Sequence, residues 1–421
     1  MTIKAYITKL IPPILLKIYH YKMALLSAIL FWFPSKDLIV IGVTGTSGKS
    51  TTVDFITKIL EESGQKVASV SSIRFKIGEN EWKNELKMTM PGCFKLQKFL
   101  KQAKKSQCKY VVLEVTSQGI AQHRHKFINF KTAVFTNLTP EHIEAHGGFE
   151  NYRTAKLKLF KAVKNTHIIN LDDLNSDYFL NIIAKEKWGY GFKGFDLRLP
   201  DSNFKTIFAD NILELDNGLK FSINGAEFNL NILGRFNVYN ALAAVCVGLS
   251  EGVSLDICKR ALEQVKGIAG RMEVVVKKPF TIIVDYAHTP EQLESVYKSL
   301  RAKPLICVLG SCGGGRDKWK RPVLGKIAKD YCREVIITNE DPYEEDPMKI
   351  IEDVAEGANG KAQKVLDRRE AIKRALKLAS PYDTVIITGK GSEPWMCIEN
   401  NQKIPWDDCQ VAREELVKIE K

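Results

Sequence analysis

The nine cysteines form no Cys-x-x-Cys pair and no Cys/His cluster at zinc-ligand spacing, which excludes a zinc finger and a disulfide scaffold. They read as reduced, mostly buried thiols of a cytosolic protein. Cys312 sits in a glycine-rich loop, where a plain small residue is expected rather than a reactive thiol. Low-complexity tracts and internal repeats are also missing, so neither a disordered nor a repeat architecture fits. No apolar run near the N-terminus is long enough to span a bilayer. Residues 23–33 (MALLSAILFWF) fall short of the roughly 20 residues required, and no small-x-small cleavage site follows them. Lys4, Lys9, Lys17 and Lys22 precede this run. Two readings stand: a helix packed on the protein body, or a helix lying on the inner membrane surface with its lysines toward lipid phosphates.

At 421 residues the chain fits two or three domains, each able to bury its own core. The net charge of +13 favours anionic partners without separating nucleotides, sugar phosphates, nucleic acid and membrane. Residues 38–41 (LIVI) form a short apolar run before a glycine-rich turn, the pattern of a buried parallel strand, and a helix is expected from about Gly48. Similar runs at 67–71, 110–115, 132–136 and 167–171 alternate with helical stretches, predicting a doubly wound α/β domain. From about Asp196 to Leu233, Asp-Asn-Gly and Asn-Gly turns predict hairpins added to the sheet. Helical periodicity returns at 237–265. Gly267 and Gly270 then mark a boundary, after which strands are expected at 281–285, 305–309, 334–338 and 384–388 in a second, Rossmann-like α/β unit. The expected organisation is a short apolar and basic helical segment at 1–37, a central domain at 38–268 and a C-terminal domain at 269–421.

The first chemical motif follows the first strand: Gly42-Val43-Thr44-Gly45-Thr46-Ser47-Gly48-Lys49-Ser50-Thr51. Glycines let backbone N–H groups close around phosphates, the helix N-terminus adds partial positive charge, and Lys49 reaches the β/γ oxygens. Ser50 is placed to ligate Mg²⁺. Val43 stands where the strict pattern has its first glycine, yet strand, turn, Gly-Lys-Ser and helix occur together. Glu114 and His142 each follow a later strand. Either alone is more often structural; two of them, on strands following a P-loop, point to metal ligation.

These blocks resemble the Mur ligases, and within them the UDP-N-acetylmuramoyl-tripeptide synthetase type, over roughly residues 38–415. The matching stretches are GVTGTSGKSTT at 42–52, EVTSQG at 114–119, FTNLTPEHIEAHGGFENYRTAKLKLF at 135–160, GRFNVYNALAA at 234–244, GRMEVV at 270–275, VDYAHTPEQL at 284–293, GSCGGGRDKWKRP at 310–322, EDPYEEDP at 340–347 and GKGSE at 389–393. The resemblance implies a cytoplasmic ATP-dependent ligase of peptidoglycan synthesis that joins an amino acid to an anionic muramoyl-peptide through an acyl phosphate. It implies no nucleic-acid partner and a monomer. Lys49, His142 and Lys156 would be catalytic. Gly45, Thr46, Ser47, Gly48, Lys49, Ser50 and Thr51 would bind the triphosphate, with Asn237, Asn240, Arg271, Asp285 and His288 around adenine and ribose. Two Mg²⁺ ions would be held by Ser50, Glu114, His142 and Lys156, the last matching the family's carbamylated lysine. Carbamylation turns a cation into a carboxylate-like anion that can face a metal. Thr89, Ser117 and Arg124 match muramoyl-peptide contacts, and Glu340, Asp341, Tyr343, Gly389 and Glu393 fall in the blocks expected to meet the amino acid. Lys320 and Arg321 are candidates for phosphate contact or for a solvated loop.

Two departures bear on the substrates. Enzymes of this type carry a larger N-terminal domain that binds uridine diphosphate, where this sequence has residues 1–37, so the usual clamp is expected to be missing and a lipid-linked acceptor becomes an alternative. Diaminopimelate enzymes read Asp-Asn-Pro-Arg where this chain reads Glu340-Asp341-Pro342-Tyr343. Without that arginine, and with Glu344, Glu345 and Asp346 following, a lysine-like amino acid is expected ahead of diaminopimelate. A folylpolyglutamate or cyanophycin-type ligase would share the P-loop, Glu114, His142 and Lys156 but not the EVTSQG and GSCGGGRDKWKRP blocks. A membrane-peripheral ATP-binding scaffold would have lost the metal and phosphate residues.

Overall fold

The computed structural model describes residues 12–86, 88–192 and 204–420; Lys4, Lys9 and the Asp196 start of the hairpin region lie outside them. The chain forms two compact units. One runs through Pro140 and takes Gly147–Asn231 and Arg235–Lys266; the other comprises Glu141–His146, Ile232–Gly234 and the chain from Gly267 onward. Two short stretches from within 38–268 therefore group with the second unit, His142 among them.

The first unit is built on one sheet. Its strands are β1 (Ile39–Thr44), β2 (Val67–Val70), β3 (Arg74–Ile77), β4 (Asn80–Lys83), β5 (Tyr110–Glu114), β6 (Phe130–Phe135), β7 (Thr166–Asn170), β8 (Glu186–Phe192), β9 (Phe204–Leu215), β10 (Gly218–Ile223) and β11 (Ala226–Leu230). Their order is β11-β10-β9-β8-β7-β6-β1-β5-β2-β3-β4. From β9 to β2 each neighbouring pair is parallel, so the central strands are covered on both faces and read as unbroken apolar runs. Val40, Ile41 and Val43 of β1 and Val111, Val112 and Leu113 of β5 are essentially inaccessible. Both edges end in antiparallel hairpins. The turn between β10 and β11 is Asn224-Gly225, with φ of 50° and 82°, the double left-handed conformation that a two-residue hairpin requires and that Asn-Gly supplies.

The second unit has strands β12 (Glu273–Val276), β13 (Thr281–Asp285), β14 (Leu305–Leu309), β15 (Glu334–Thr338), β16 (Ala362–Val365) and β17 (Thr384–Thr388), in the order β12-β13-β17-β14-β15-β16, beside a small hairpin of β18 (Trp395–Cys397) and β19 (Lys403–Pro405). All but β12 run parallel within the six-stranded sheet. The helix Arg368–Leu378 lays Ala371, Ile372, Ala375 and Leu376 into this sheet's core, a stripe with helical spacing.

The N-terminal helix differs from the expected apolar stretch. It spans Pro13–Leu30, opening at a proline that suits a first helical position. It stops before Trp32 and Phe33, both with left-handed φ, and a short 3₁₀ turn at Pro34–Asp37 leads into β1. Among the described residues no helix is long and apolar enough to cross a membrane.

Candidate active site

In a parallel sheet the carboxyl ends of the strands share one edge, and ligands bind in the crevice there. β1, β5 and β6 are neighbours, and Val43 of β1 stands opposite Glu114 of β5. Their ends therefore deliver the glycine turn after β1, the Glu114 carboxylate and the segment from Thr136 to one small region. The helix Lys49–Glu62 that follows the turn has Gly48 as its N-cap, with φ 77° and no capping side chain. Some helices begin on side-chain caps, such as Thr289 accepting from the Gln292 N–H and Asp367 from the Glu370 N–H, and others, such as Cys93–Lys105, do not. A helix start without such a cap leaves first-turn N–H groups available to an anion.

Two close approaches favour glycine here. A Cβ on Gly48 would lie 2.3 Å from Asn240 Oδ1, and one on Gly45 would lie 1.8 Å from Thr136 Oγ1. The turn is further clamped by Asn137, whose carbonyl accepts from the Thr46 N–H at 2.9 Å and whose Oδ1 accepts from the Ser47 N–H at 2.9 Å. Thr46 Oγ1 accepts from the Thr139 N–H at 3.0 Å and meets the Tyr152 hydroxyl at 3.0 Å. Behind it, Asn237 and Asn240 are buried on the helix Phe236–Ser250 and bonded to each other at 2.9 Å, and Thr52 donates to Asn240 at 3.3 Å. This places both asparagines under the phosphate loop. Thr51 is buried in the first turn of the helix Lys49–Glu62.

Ser50 Oγ donates to Glu114 Oε2 at 2.7 Å and lies 2.7 Å from Ser72 Oγ; the Ser72 N–H donates to the same carboxylate oxygen at 2.9 Å. Lys49 Nζ donates to the Thr46 carbonyl at 2.8 Å and stands 3.9 Å from Glu114 Oε1. Lys156, only 1% exposed, donates to the Gly45 carbonyl at 2.6 Å and lies 4.5 Å from the Tyr152 ring centre. Among the described residues no group of three or more His, Cys, Asp and Glu side chains is arranged to hold a metal by itself. A hydroxyl and one carboxylate beside a glycine cradle are instead the protein's share of a Mg²⁺ site that uses substrate phosphates and water for its remaining ligands. These residues fit that ion.

Ser117 is buried at the start of the helix Ser117–Ala121, capped by Thr116. Arg124, just beyond it, donates to the Met90 carbonyl and to Gln122, which brings it against the stretch carrying Thr89. Ser72, Asn137 and Tyr152 escaped the sequence reading as site residues. Asn137 and Tyr152 fall inside the longest matching stretch and were within reach; Ser72 reaches Glu114 only through the sheet.

In the second unit, Asp285 at the end of β13 accepts from the Met272 and Ala287 N–H groups, each at 2.7 Å; burial raises its pKa, and Arg271 opposes that rise. Arg271 lies 4.3 Å above the Tyr286 ring. His288 Nδ1 is 2.9 Å from the Tyr286 carbonyl, and burial, with Lys320 adding to it, lowers its pKa and favours the neutral imidazole. His142 has φ 56°, and its Nδ1 lies 3.9 Å from Glu141 Oε1. Lys320 and Arg321 do not lie in a solvated loop. They begin the helix Lys320–Tyr331, Lys320 paired with Glu141 at 3.2 Å and Arg321 with Glu345 and Asp353, each at 2.9 Å.

The amino-acid candidates gather at the carboxyl ends of β15 and β17. Lys390, fully buried, donates to Asp341 at 2.8 Å and to Glu393 at 2.6 Å, and the Tyr286 hydroxyl donates to Glu393 at 3.1 Å. Glu340 is enclosed: Cys312 donates to Oε1 at 2.8 Å, and a Cβ on Gly389 would lie 2.3 Å from Oε2. Burial pushes the Cys312 thiol well up, which makes it a poor nucleophile. Tyr343 has φ 52° and packs over Gly314. The acidic run after it has structural duties. Glu345 pairs with Arg321, Glu344 accepts from the Asn400 N–H, and Asp346 caps the helix Pro347–Gly357. Sequence reading also missed Arg368, whose bidentate pair with Asp408 is fully buried and which donates to the Thr388 and Asn339 carbonyls at the ends of β17 and β15.

The models of the Mur ligase middle domain and of the Mur ligase glutamate ligase domain match residues 43–248 and 270–391. A UDP-N-acetylmuramoyl-L-alanyl-D-glutamate--2,6-diaminopimelate ligase of Syntrophomonas wolfei is 37% identical over 413 residues, covering 93% of this chain and 81% of the relative. The chain belongs to the Mur ligase family. Mur ligases are ATP-dependent, Mg²⁺-using enzymes that form amide bonds. A solved structure of a ligase of that same name is 29% identical, with a TM-score of 0.60 over 91% of this chain and 79% of the other. Folylpolyglutamate synthase of Mycobacterium tuberculosis has a TM-score of 0.70 at 15% identity, over 88% and 92% of the two chains, a likeness of fold alone.

Proposed function

We propose that this Mur ligase adds a diamino acid to the D-glutamate γ-carboxylate of a UDP-MurNAc-L-Ala-D-Glu acceptor in peptidoglycan synthesis. The observation that carries the reading is the Ser50–Glu114 contact beside Lys49 at the uncapped helix start. The names of the relatives support diaminopimelate as the incoming amino acid. In this reading residues 38–268 are the ATP-binding domain and 269–421 the C-terminal ligase domain.

A carboxylate and a triphosphate repel, so charge must be neutralised before the carboxylate oxygen attacks the γ-phosphorus, expelling ADP and leaving an acyl phosphate. Lys49 and the N–H groups at the helix start supply fixed positive charge. Mg²⁺, expected as two ions, supplies Lewis-acid neutralisation of the phosphate oxygens. Ser50 and Glu114 would hold one ion. Lys156 would present a carbamate to the other, formed when its neutral amine takes up CO₂ and releases a proton. The amine of the amino acid then attacks the acyl carbon and phosphate leaves. Thr89, Ser117 and Arg124 would hold the acceptor, Arg124 through a planar fork suited to phosphate or carboxylate.

A second reading, a lysine-like amino acid, rests on Tyr343 in place of the arginine that would grip a distal carboxylate. The enzyme works as a monomer in the cytoplasm, with its N-terminal helix in peripheral contact with the inner membrane surface. Phosphate release from ATP, measured with UDP-MurNAc-L-Ala-D-Glu and a panel of amino acids, should be fastest with diaminopimelate. Release only with lysine or ornithine selects the second reading; release only with folate and glutamate, or none, overturns both. Incorporation of ¹³C from labelled bicarbonate, present in the native chain and lost in Lys156→Gln, tests the carbamate.

A further inference from the structure

The helix Pro13–Leu30 is packed inside out for a soluble protein. At 100° per residue its residues divide into two faces. The face turned to the body carries small side chains: Ala24, Ser27 and Ala28 are buried, and the Ser27 hydroxyl is spent on the Ala24 carbonyl at 2.8 Å. The opposite face carries the large apolar ones. Ile14 is 67% exposed, Ile18 46%, Leu26 52%, Ile29 52% and Leu30 57%, and Trp32 just past the helix end is 82% exposed. Scattered apolar residues on a surface need no explanation, but a helical face of them, here interrupted by exposed Lys22, marks an interaction site.

The charge around this face identifies its partner. No Asp or Glu occurs between residues 12 and 36. The helix packs on the helix Cys93–Lys105, which holds Lys95, Lys98, Lys101, Lys104 and Lys105, all exposed, and again no acid. Lys101 reaches over the Phe31 ring at 5.8 Å, and Lys36 over Phe33 at 5.1 Å. An apolar helix face bordered by lysines and by exposed Tyr19, Tyr21 and Trp32 has the make-up of a helix lying in a lipid interface, with rings at headgroup depth and cations toward lipid phosphates. A second copy of the chain would bring the same lysine-rich border against itself, in which Asp37, paired with Lys104, is the acid at the end of the helix segment, so charge disfavours it.

We propose that this face docks the enzyme on an anionic lipid surface, with Ile14, Ile18, Leu26, Ile29, Leu30 and Trp32 entering the interface and the lysines of Cys93–Lys105 contacting the headgroups. The proposal deepens, and rests on, the peripheral reading given above. Docking also brings the acceptor loop to the lipid, because Tyr21 packs on His123 and Phe127 at 5.8 and 5.3 Å, on either side of Arg124.

Flotation of the full chain with phosphatidylcholine vesicles, with and without phosphatidylglycerol, tests it. The native chain should float with the anionic vesicles only. Substituting Ile18→Ser, Leu26→Ser and Ile29→Ser together should weaken that binding at least about tenfold, and Lys98→Glu with Lys105→Glu by about tenfold with a flatter salt dependence. All five side chains are exposed, so thermal unfolding should be unchanged. The proposal is overturned by absence of flotation, by equal flotation on neutral vesicles that the lysine reversals do not alter, or by a solution dimer that the serine variant dissolves while vesicles bind neither form. Phosphate release with the soluble acceptor is measured on the same proteins. Activity without vesicle binding sinks the docking and the peripheral reading it rests on while leaving the ligase reading, and vesicle binding without activity sinks the ligase reading alone.

Discussion

The carboxyl-end region of the first sheet and that of the second are built from similar strands and hold their charged groups in opposite ways. In the first, Lys49 and Lys156 donate to main-chain carbonyls of the glycine turn, Thr46 and Gly45. The backbone path, fixed by glycines and by Asn137, positions the cations. In the second, Lys390 is held by the carboxylates of Asp341 and Glu393, and Arg368 chiefly by Asp408, with two main-chain carbonyls besides. Side chain holds side chain, out of water. The first arrangement keeps cations beside a loop made to accept an anion; the second neutralises its charges internally and fixes the strand ends. Backbone changes should therefore damage the first region, and charge changes the second.

The largest effect is expected in the second region. Lys390→Met leaves Asp341 buried with only main-chain donors, and loss of one partner of a buried pair costs about 3–5 kcal/mol. Urea unfolding would detect it, and an unchanged midpoint would show that this network does not hold the unit together. Lys49→Ala should instead leave unfolding nearly unchanged while lowering kcat by about 10²–10³, the loss seen when one fixed electrostatic donor is removed. A parallel loss of stability would blur the contrast.

Third is a pH effect in the first unit. His167 is inaccessible, its Nε2 shared between the Phe160 and Val163 carbonyls near the end of the helix carrying Lys156, and burial lowers its pKa to about 4. A histidine depressed in the folded state stabilises above its unfolded pKa, about 6.5. That stability drains as pH falls from about 6.5 toward 4, by up to about 3 kcal/mol. Denaturant melts at pH 7 and pH 4.5 should show a larger loss in the native chain than in His167→Gln. Smallest is Gly48→Ala, with about 1–2 kcal/mol for left-handed backbone and displacement of Asn240. Its signature should be weakened ATP binding out of proportion to that cost, seen by calorimetry.

How far the sequence foretold this structure follows burial. The runs at 281–285, 305–309, 334–338 and 384–388 coincide with β13, β14, β15 and β17 because strands covered on both faces must be apolar throughout. β4 has every residue exposed and β16 buries only Val365, so neither carries an apolar run and neither was foreseen. The hairpins of β9 to β11 were legible through their turns. The glycine turn and Ser50 were legible because their motif is local, and Glu114 because it ends an apolar strand that follows that motif, although the Ser50–Glu114 contact itself spans 64 positions. Arg368–Asp408 and Lys390–Asp341 join residues 40 and 49 positions apart, and no local pattern marks such a pair before the chain is folded.

The pairing of Val43 with Glu114 carries a consequence for how this enzyme could change. Tyr110, Val111, Val112 and Leu113 are apolar whichever way they point, so β5 could slide one residue along β1 and still bury hydrocarbon on both faces. Such a slip would turn Glu114 to the opposite side of the sheet. Deleting one residue between Lys109 and Leu113 should then yield a protein that folds and melts cooperatively yet no longer meets Ser50. The strand that best supports the core is thus also the one whose length can be miscounted without the core registering it.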